Sequence, residues 1–385
     1  MPHGMEPSAW PPRVWVLASP HAGDNTQLLA LARALGIPFE VKRFRYRFWQ
    51  TAARLILGAT RAGLDMEASS PLDPPWPDLI IGAGRPTEAI AFWIRRHANP
   101  KVKVVYLGTP WAALDRFDLV ITTPQYRLPE CPNVLHNALP LHDIGRRAEE
   151  TATEVAVWQG RLAHLPRPWT AVLVGGRSGP YEFREPAAKR LAALASERAA
   201  SEKGALLVTT SKRTRPETAE ALAETIEAPA FLHRWRPGQT ENPYRAFLSL
   251  ADAFIVTADS ISMIAETCAT GRPVALFDTE EGRRSMRAEE GRLTAGGGPP
   301  PPHWRGTSVA TTGFRIGMAI GPAWWTRDIR IVHRRLLAEG RVSWLGDVPA
   351  PRQPAPQDCD VDRAVARVRA LFGAPDANTP RSLTS

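Results

Sequence analysis

The run from Thr257 to Pro273, "TADSISMIAETCATGRP", crowds acids and hydroxyls between an apolar stretch and a Gly-Arg-Pro turn. Asp259 or Ser260 is placed to cap a helix that follows the apolar stretch. Glu266 comes seven residues after Asp259, two helical turns on, so the spacing predicts one helix face carrying Asp259, Ser262, Met263 and Glu266. A helix N-terminus with hydroxyls beside it suits a phosphate, because the first NH groups have no partner inside the helix. A carboxylate further along can accept hydrogen bonds from ribose hydroxyls. The competing reading of the same residues is an ordinary capped helix with an exposed glutamate, so the neighbouring loops decide.

Two further loops carry compatible chemistry. "VGGRSGPY", Val174 to Tyr181, sets the glycine pair Gly175 and Gly176 before Arg177 and Ser178, which suits close backbone approach to an anion. It is neither GxGxxG nor a loop ending in GK[ST], so dinucleotide binding and ATP hydrolysis gain no support. "TTSKRT", Thr209 to Thr214, adds Ser211, Lys212 and Arg213 and would alone read as a solvated turn. Three such loops after strands of one half of the chain together describe a pocket for a diphosphate and its nucleoside.

The elements that must hold these loops follow a repeating pattern. "VWVLASPHAGDNTQLLALARALG" runs from Val14 as apolar strand, polar loop and helix to Gly36. The unit recurs with a strand at Leu79 to Ile81, the loop "GAGRPT" and a helix from Glu88 to Arg96. A second series starts after "RLAHLPRPW", Arg161 to Trp169, with helices expected around Pro186 to Ala200 and from Pro216 to about Glu224. Strands that are apolar throughout and alternate with helices imply an α/β fold whose parallel sheets are covered on both faces. Two such halves predict a central cleft, with ligands outside the carboxyl ends of the strands. The expected division is a leader at 1–12, an N-terminal domain at 13–160, a C-terminal domain at 168–350, a helix at 360–373 and a disordered tail at 374–385. Within the second domain the Gly-Pro tract at 292–305 is expected to be a mobile loop.

Composition narrows the class. At 385 residues two cores are the natural expectation. With 44% hydrophobic and 23% charged residues the chain is globular, and no apolar run reaches the roughly 18 residues of a membrane span. Cys131, Cys268 and Cys359 are far apart with no CxxC spacing, which argues against a disulfide framework or a structural zinc and fits a cytoplasmic location. The net charge of +9 points to an anionic partner: nucleic acid, a membrane surface or a phosphorylated substrate. Within 41–63, Arg43, Arg45, Arg47 and Arg54 interleave with Phe44, Tyr46, Phe48 and Trp49. Such a stretch can stack on single-stranded nucleic acid, lie on an anionic membrane, or simply be a strand leading into a buried helix.

The segments "PHAGDNTQ", "PDLIIGAGRPT", "GGRSGPY", "LLVTTSKRT", "NPYRAFLSLADAFIVTADSISMIAETCATGRPV" and "HRRLLAEGRV" resemble the bacterial branch of the mitochondrial fission Elm family, over most of the chain. That family in turn resembles glycosyltransferases of the GT-B architecture. The resemblance implies two Rossmann-like domains, a nucleoside-diphosphate sugar held mainly by the second, a hydroxyl acceptor on a lipid-linked or envelope glycan, and neither metal nor cofactor. It implies that Glu266 binds the ribose and that "GGRS" and "TSKR" hold the diphosphate, and it sets Asn242 and Tyr244 beside the base. In the first domain it makes "SPHAGDNTQ" the first loop, with His21 or Asp24 as the base for the acceptor and Gly23, Asn25 and Gln27 beside them. Gly82, Gly84 and Arg85 complete the expected substrate contacts. Relatives often carry an acid and a glycine where this chain has Ser19 and Pro20, so the identity of the base stays open. By analogy with GT-B enzymes that glycosylate lipid-linked acceptors, the 41–63 stretch is expected to meet anionic membrane at the inner face of the cytoplasmic membrane, not nucleic acid. The rival readings are a non-catalytic interaction protein of the same fold and a nucleotide-sugar epimerase.

Overall fold

A computed structural model describes residues 10–47, 59–99, 101–146, 148–287, 306, 308–322, 326–347 and 359–374. The chain divides into two compact units, Met1–Asp143 with Asp358–Ser385, and Ile144–Gln357. Each is an α/β unit built on a six-stranded sheet in which every pairing is parallel.

The first unit runs β1 (Val14–Leu17), α1 (Ala22–Ala34), β2 (Phe39–Lys42), β3 (Leu79–Ala83), α2 (Arg85–His97), β4 (Lys103–Leu107), β5 (Leu119–Thr122) and β6 (Val134–His136). Its strand order is β2-β1-β3-β4-β5-β6. Because side chains alternate across a strand, Val14 and Val16 join Leu28 and Leu31 on one face, while Trp15 and Leu17 join Ile90 and Phe92 on the other. Both faces are therefore covered, at roughly 1.5–3 kcal/mol for each large apolar side chain buried. Helix α2 begins at Arg85, three residues before the expected Glu88, because Gly84 takes the left-handed φ of 79° that ends the strand and Pro86 fits the first helical turn.

The second unit runs α3 (Ala148–Leu162), β7 (Trp169–Leu173), α4 (Glu185–Glu202), β8 (Ala205–Thr209), α5 (Pro216–Thr225), β9 (Ala230–His233), α6 (Tyr244–Leu250), β10 (Ala253–Thr257), α7 (Ile261–Ala269), β11 (Val274–Phe277), α8 (Val309–Ile320), α9 (Arg330–Ala338) and β12 (Ser343–Trp344). Its strand order is β12-β11-β10-β7-β8-β9. Numbered within the unit this is the Rossmann order, which reverses direction between its first and fourth strands, here β7 and β10. In the first unit the reversal falls between β1 and β3. In both, loops expected to bind ligand leave the strands that flank the reversal, joined in the second unit by the loop after β8.

The expected domain limits shift in two places. Helix α3 belongs to the second unit, because Trp158 is buried with its ring 5.6 Å from that of Phe231 and 6.4 Å from that of Phe247. The division thus falls after Asp143, not near 160–168. The closing helix, Cys359–Ala370, belongs to the first unit, where Val361, Ala364 and Val368 are fully buried in the core cluster that contains Leu28 and Leu31.

The arginine-aromatic stretch is corrected in part. Arg43, Arg45 and Arg47 are exposed, whereas Phe44 and Tyr46 are half-buried against the Trp15 and Ile80 side of the first core, so these two rings are not free to enter a lipid interface. The alternation belongs to a segment beyond β2 that forms a single antiparallel bridge between Tyr46 and Leu64, tied by Asp65 NH to Arg45 O at 2.9 Å and Arg47 NH to Gly63 O at 2.8 Å. Phe48, Trp49 and Arg54 lie outside the described residues, as do 1–9 of the leader, the tract 292–305 and 375–385 of the tail. Among the described residues no helix is long and apolar enough to cross a membrane.

Candidate functional site

Three loops at the carboxyl ends of β7, β8 and β10 are joined through one carboxylate. Asp259 Oδ2 accepts from the Gly176 NH at 3.1 Å and from Arg213 Nη1 at 3.0 Å. Gly175 NH donates to Thr257 Oγ1 at 2.7 Å, and Ser211 Oγ donates to Gly175 O at 2.7 Å. Arg213 Nη1 also reaches Arg177 O at 3.1 Å. Both glycines are required by distance: a Cβ on Gly175 would stand 2.5 Å from the Asp259 carboxylate, and one on Gly176 would stand 2.0 Å from Arg213 O. The strand-order reversal is what brings the β10 loop beside the β7 loop.

Asp259 does not share a helix face with Glu266, as expected from spacing alone. Helix α7 starts at Ile261, so Asp259 precedes it by two residues, and its buried carboxylate turns to the glycine loop. Its Oδ1 has no hydrogen-bond partner among the described residues. Neither does Ser260 cap by its side chain, although it holds the N-cap position, so the first NH groups of α7 keep their capacity for an anion. Ser262 and Met263 sit half-buried in that first turn.

Glu266 is buried, and its carboxylate accepts a hydrogen bond from the Tyr244 hydroxyl. Burial, reinforced by the adjacent Glu266 charge, holds the Tyr244 hydroxyl well above its ordinary pKa, so it stays a donor at neutral pH. Asn242 is exposed, and its Oδ1 accepts from the Tyr244 NH at 3.0 Å, which fixes the start of α6. Arg177 and Lys212 are exposed, and the Arg213 side chain is 38% exposed despite its bond to Asp259, so three cations face solvent around the glycine loop. Ser178 departs from the expected role. It is buried, pairs through its backbone with Tyr181, and its Oγ accepts from Arg327. Arg327 and Thr214, whose Oγ1 donates to Gly175 O, are contributors to this loop cluster that spacing did not reveal.

In the first unit, Ser19 organises the loop after β1. Its Oγ donates to Asp24 Oδ2 at 2.7 Å and accepts from the His21 NH at 3.2 Å, while its backbone NH meets Asn25 Oδ1 at 2.8 Å. Gln27 Nε2 turns back to Gly23 O at 3.4 Å, and His21 is exposed. Gly84 leaves no space for a side chain, since a Cβ there would stand 2.7 Å from Ser19 Oγ and 3.3 Å from Asp24 Oδ2. Gly82 is buried inside β3, where a Cβ would stand 3.3 Å from Thr87 Oγ1. Arg85 lies over the Trp111 ring at 4.2 Å. Glu88, which read as one more helix residue, is buried and accepts from Tyr106 Oη, Trp111 NH and Ala112 NH at 3.1, 2.9 and 3.0 Å. Among the described residues no group of three or more His, Cys, Asp or Glu is placed to hold a metal ion.

Several known proteins are similar to this chain in sequence or in structure. The "Mitochondrial fission protein ELM1" of Arabidopsis thaliana is 31% identical over 242 residues, covering 57% of this chain and 56% of its own length, so the chain spans little more than half of that relative. An uncharacterized protein of Rickettsia prowazekii (strain Madrid E) is 26% identical over 293 residues, covering 69% of this chain and 82% of its own. Among solved structures, the S. aureus MnaA-UDP co-structure aligns with a TM-score of 0.46 at 9% identity, over 94% of this chain and 99% of that one. The family described as Mitochondrial fission ELM1 matches residues 22–297, and this chain belongs to it.

Proposed function

We propose that the chain is a glycosyltransferase that binds a nucleoside-diphosphate sugar on its second unit and moves the sugar to a hydroxyl acceptor. The observation that carries this reading is the Asp259 junction, which holds the Gly176 backbone and the exposed Arg213 guanidinium beside the open N-terminus of α7 in one loop cluster at the strand-order reversal. In the reaction an acceptor oxygen forms a bond to the anomeric carbon as the bond to the diphosphate breaks. The departing diphosphate takes the electron pair, and Arg177, Lys212, Arg213 and the helix NH groups stabilise its charge. Glu266 binds the ribose, with Tyr244 keeping the carboxylate oriented. The acceptor's proton goes to a base on the first unit, for which Asp24, oriented by Ser19, is better fixed than the exposed His21. Neither metal nor cofactor takes part, because these cations and NH groups supply the positive charge.

The proposed acceptor is a lipid-linked or envelope glycan, and Arg43, Arg45 and Arg47 would hold the protein at anionic lipid on the cytoplasmic face. Titrating UDP, GDP, ADP and CMP into the protein by calorimetry tests the reading. One of the four binds, and its sugar derivative is consumed only when an acceptor is present, with EDTA making no difference. Binding by none of them would leave a non-catalytic member of the same fold, and product formation without acceptor would indicate an epimerase.

A further inference from the structure

The first unit contains a polar recess that the loop after β1 does not explain. Thr122 at the end of β5, Asn137 just past β6 and Gln125 in the short turn Pro124–Tyr126 line it, with Gln27, Tyr126 and Leu139 around them. Thr122, Gln125 and Asn137 are 1%, 3% and 2% exposed. Yet Thr122 Oγ1, Gln125 Oε1 and both polar side-chain atoms of Asn137 have no hydrogen-bond partner among the described residues. Buried polar groups are nearly always paired, so four such atoms in one recess are an anomaly that a bound group would remove. The backbone keeps them in place: Asn137 NH donates to Thr122 O at 2.9 Å, and Arg127, with a left-handed φ of 53°, turns the chain directly after Tyr126.

The lining defines what would fit. It contains no charged side chain, which disfavours a phosphate, a carboxylate or a metal ion. The enclosed part has space for a group about the size of one water molecule, so it admits a hydroxyl and not a ring. A hydroxyl offers one donor and two lone pairs, and so can satisfy the Asn137 amide NH and a carboxamide or threonine oxygen together. A carbonyl would only accept and an ammonium would only donate. Tyr126 and Leu139 supply an apolar surface beside the polar one.

We propose that this recess is a subsite for one hydroxyl of a neutral sugar, whose apolar C–H face lies on Tyr126 and Leu139. Its role as an acceptor subsite rests on the transferase reading above, whereas the binding itself does not. Saturation-transfer NMR with the methyl glycosides of glucose, mannose and N-acetylglucosamine tests it, with glucuronate and glucose 6-phosphate as charged controls. At least one neutral glycoside binds, and Asn137→Leu weakens it by about tenfold or more, the effect of losing two hydrogen bonds. Thr122→Val weakens it less and carries the test if Asn137→Leu fails to fold. Nucleotide titrations of both variants match the wild type. Three results would overturn the proposal: no neutral glycoside binds, only the charged sugars bind, or the variants bind as the wild type does. A loss of stability in Asn137→Leu with no glycoside binding by the wild type would show a buried water instead. Glycoside binding without any nucleotide binding would sink the donor reading and leave this one standing.

Discussion

Arg213 Nη1 donates to Asp259 Oδ2 over 3.0 Å, and the same oxygen accepts the Gly176 NH at 3.1 Å. One buried oxygen therefore sets both the direction of a cation and the position of the glycine backbone. Asp259 acts on a ligand through these two groups, which is a positioning role and not the helix-face contact that spacing predicts.

Asp259→Ala leaves the Gly176 NH without this acceptor and releases Arg213. Since the Arg213 side chain is 38% exposed, water screens the ion pair, and the expected loss of stability is about 2 kcal/mol, mainly from the unpaired backbone group. Urea midpoints measure it. Nucleotide affinity falls in the same variant, while Asp259→Asn, which keeps a carbonyl for Gly176, lies between. Equal affinity in all three proteins would remove Asp259 from the donor site.

Glu266→Ala removes a charged acceptor from the proposed ribose contact and weakens nucleotide binding by about 1.5–3 kcal/mol. A 2′-deoxy nucleotide separates this from a general loss of structure. The wild type prefers the ribonucleotide, and the variant binds both forms alike, as a double-mutant cycle would read. Retained discrimination in the folded variant would place the ribose elsewhere.

Much of this architecture is legible from apolar runs. The strands before Gly175, Ser211 and Asp259 read as buried because Val172, Leu207 and Ile255 are apolar with apolar neighbours on both sides, and they are buried on both faces. What stays hidden depends on distant partners. The turn of Asp259 toward Gly176 links residues 83 apart, and no local spacing encodes it. Glu88 looks like a solvated helix residue until Tyr106 and the NH groups of Trp111 and Ala112 are folded over it. Likewise, the alternation of Arg43, Phe44, Arg45, Tyr46 and Arg47 is legible as a two-sided segment, but which side meets the core follows only from the packing of the two rings.

Two buried groups give opposed pH dependences. Burial, against the pull of Arg315 at 2.8 Å, raises Glu280 from 4.5 to about 7, and burial lowers His333 from 6.5 to about 4. Between pH 4.5 and 6.5 the folded chain keeps the Glu280 proton that the unfolded chain releases, so this contribution to stability is lost as pH rises. Over the same window the unfolded chain binds a proton at His333 that the folded chain refuses, so that contribution is lost as pH falls. Each slope is about 1.4 kcal/mol per pH unit at most, and in the wild type the two oppose each other. Glu280→Gln therefore makes stability rise more steeply with pH than in the wild type, measured by urea unfolding at about pH 5 and about pH 6.5. An unchanged slope would mean that Glu280 is ionised throughout the window.

Arg43, Arg45 and Arg47 project from an edge segment whose intervening rings pack inward. If this surface holds the protein to lipid, the attraction of these described residues is electrostatic, worth about 1 kcal/mol per arginine near an anionic surface and reduced as salt shortens the screening length. Changing all three to glutamine lowers co-sedimentation with phosphatidylserine vesicles at low salt and leaves nucleotide titrations unchanged, since the proposed donor contacts lie in the second unit. The fold is expected to tolerate the change, because Phe44 and Tyr46 keep their contacts. Equal co-sedimentation of wild type and variant would mean that these arginines do not meet a membrane, and the net charge of +9 would then need another anionic partner.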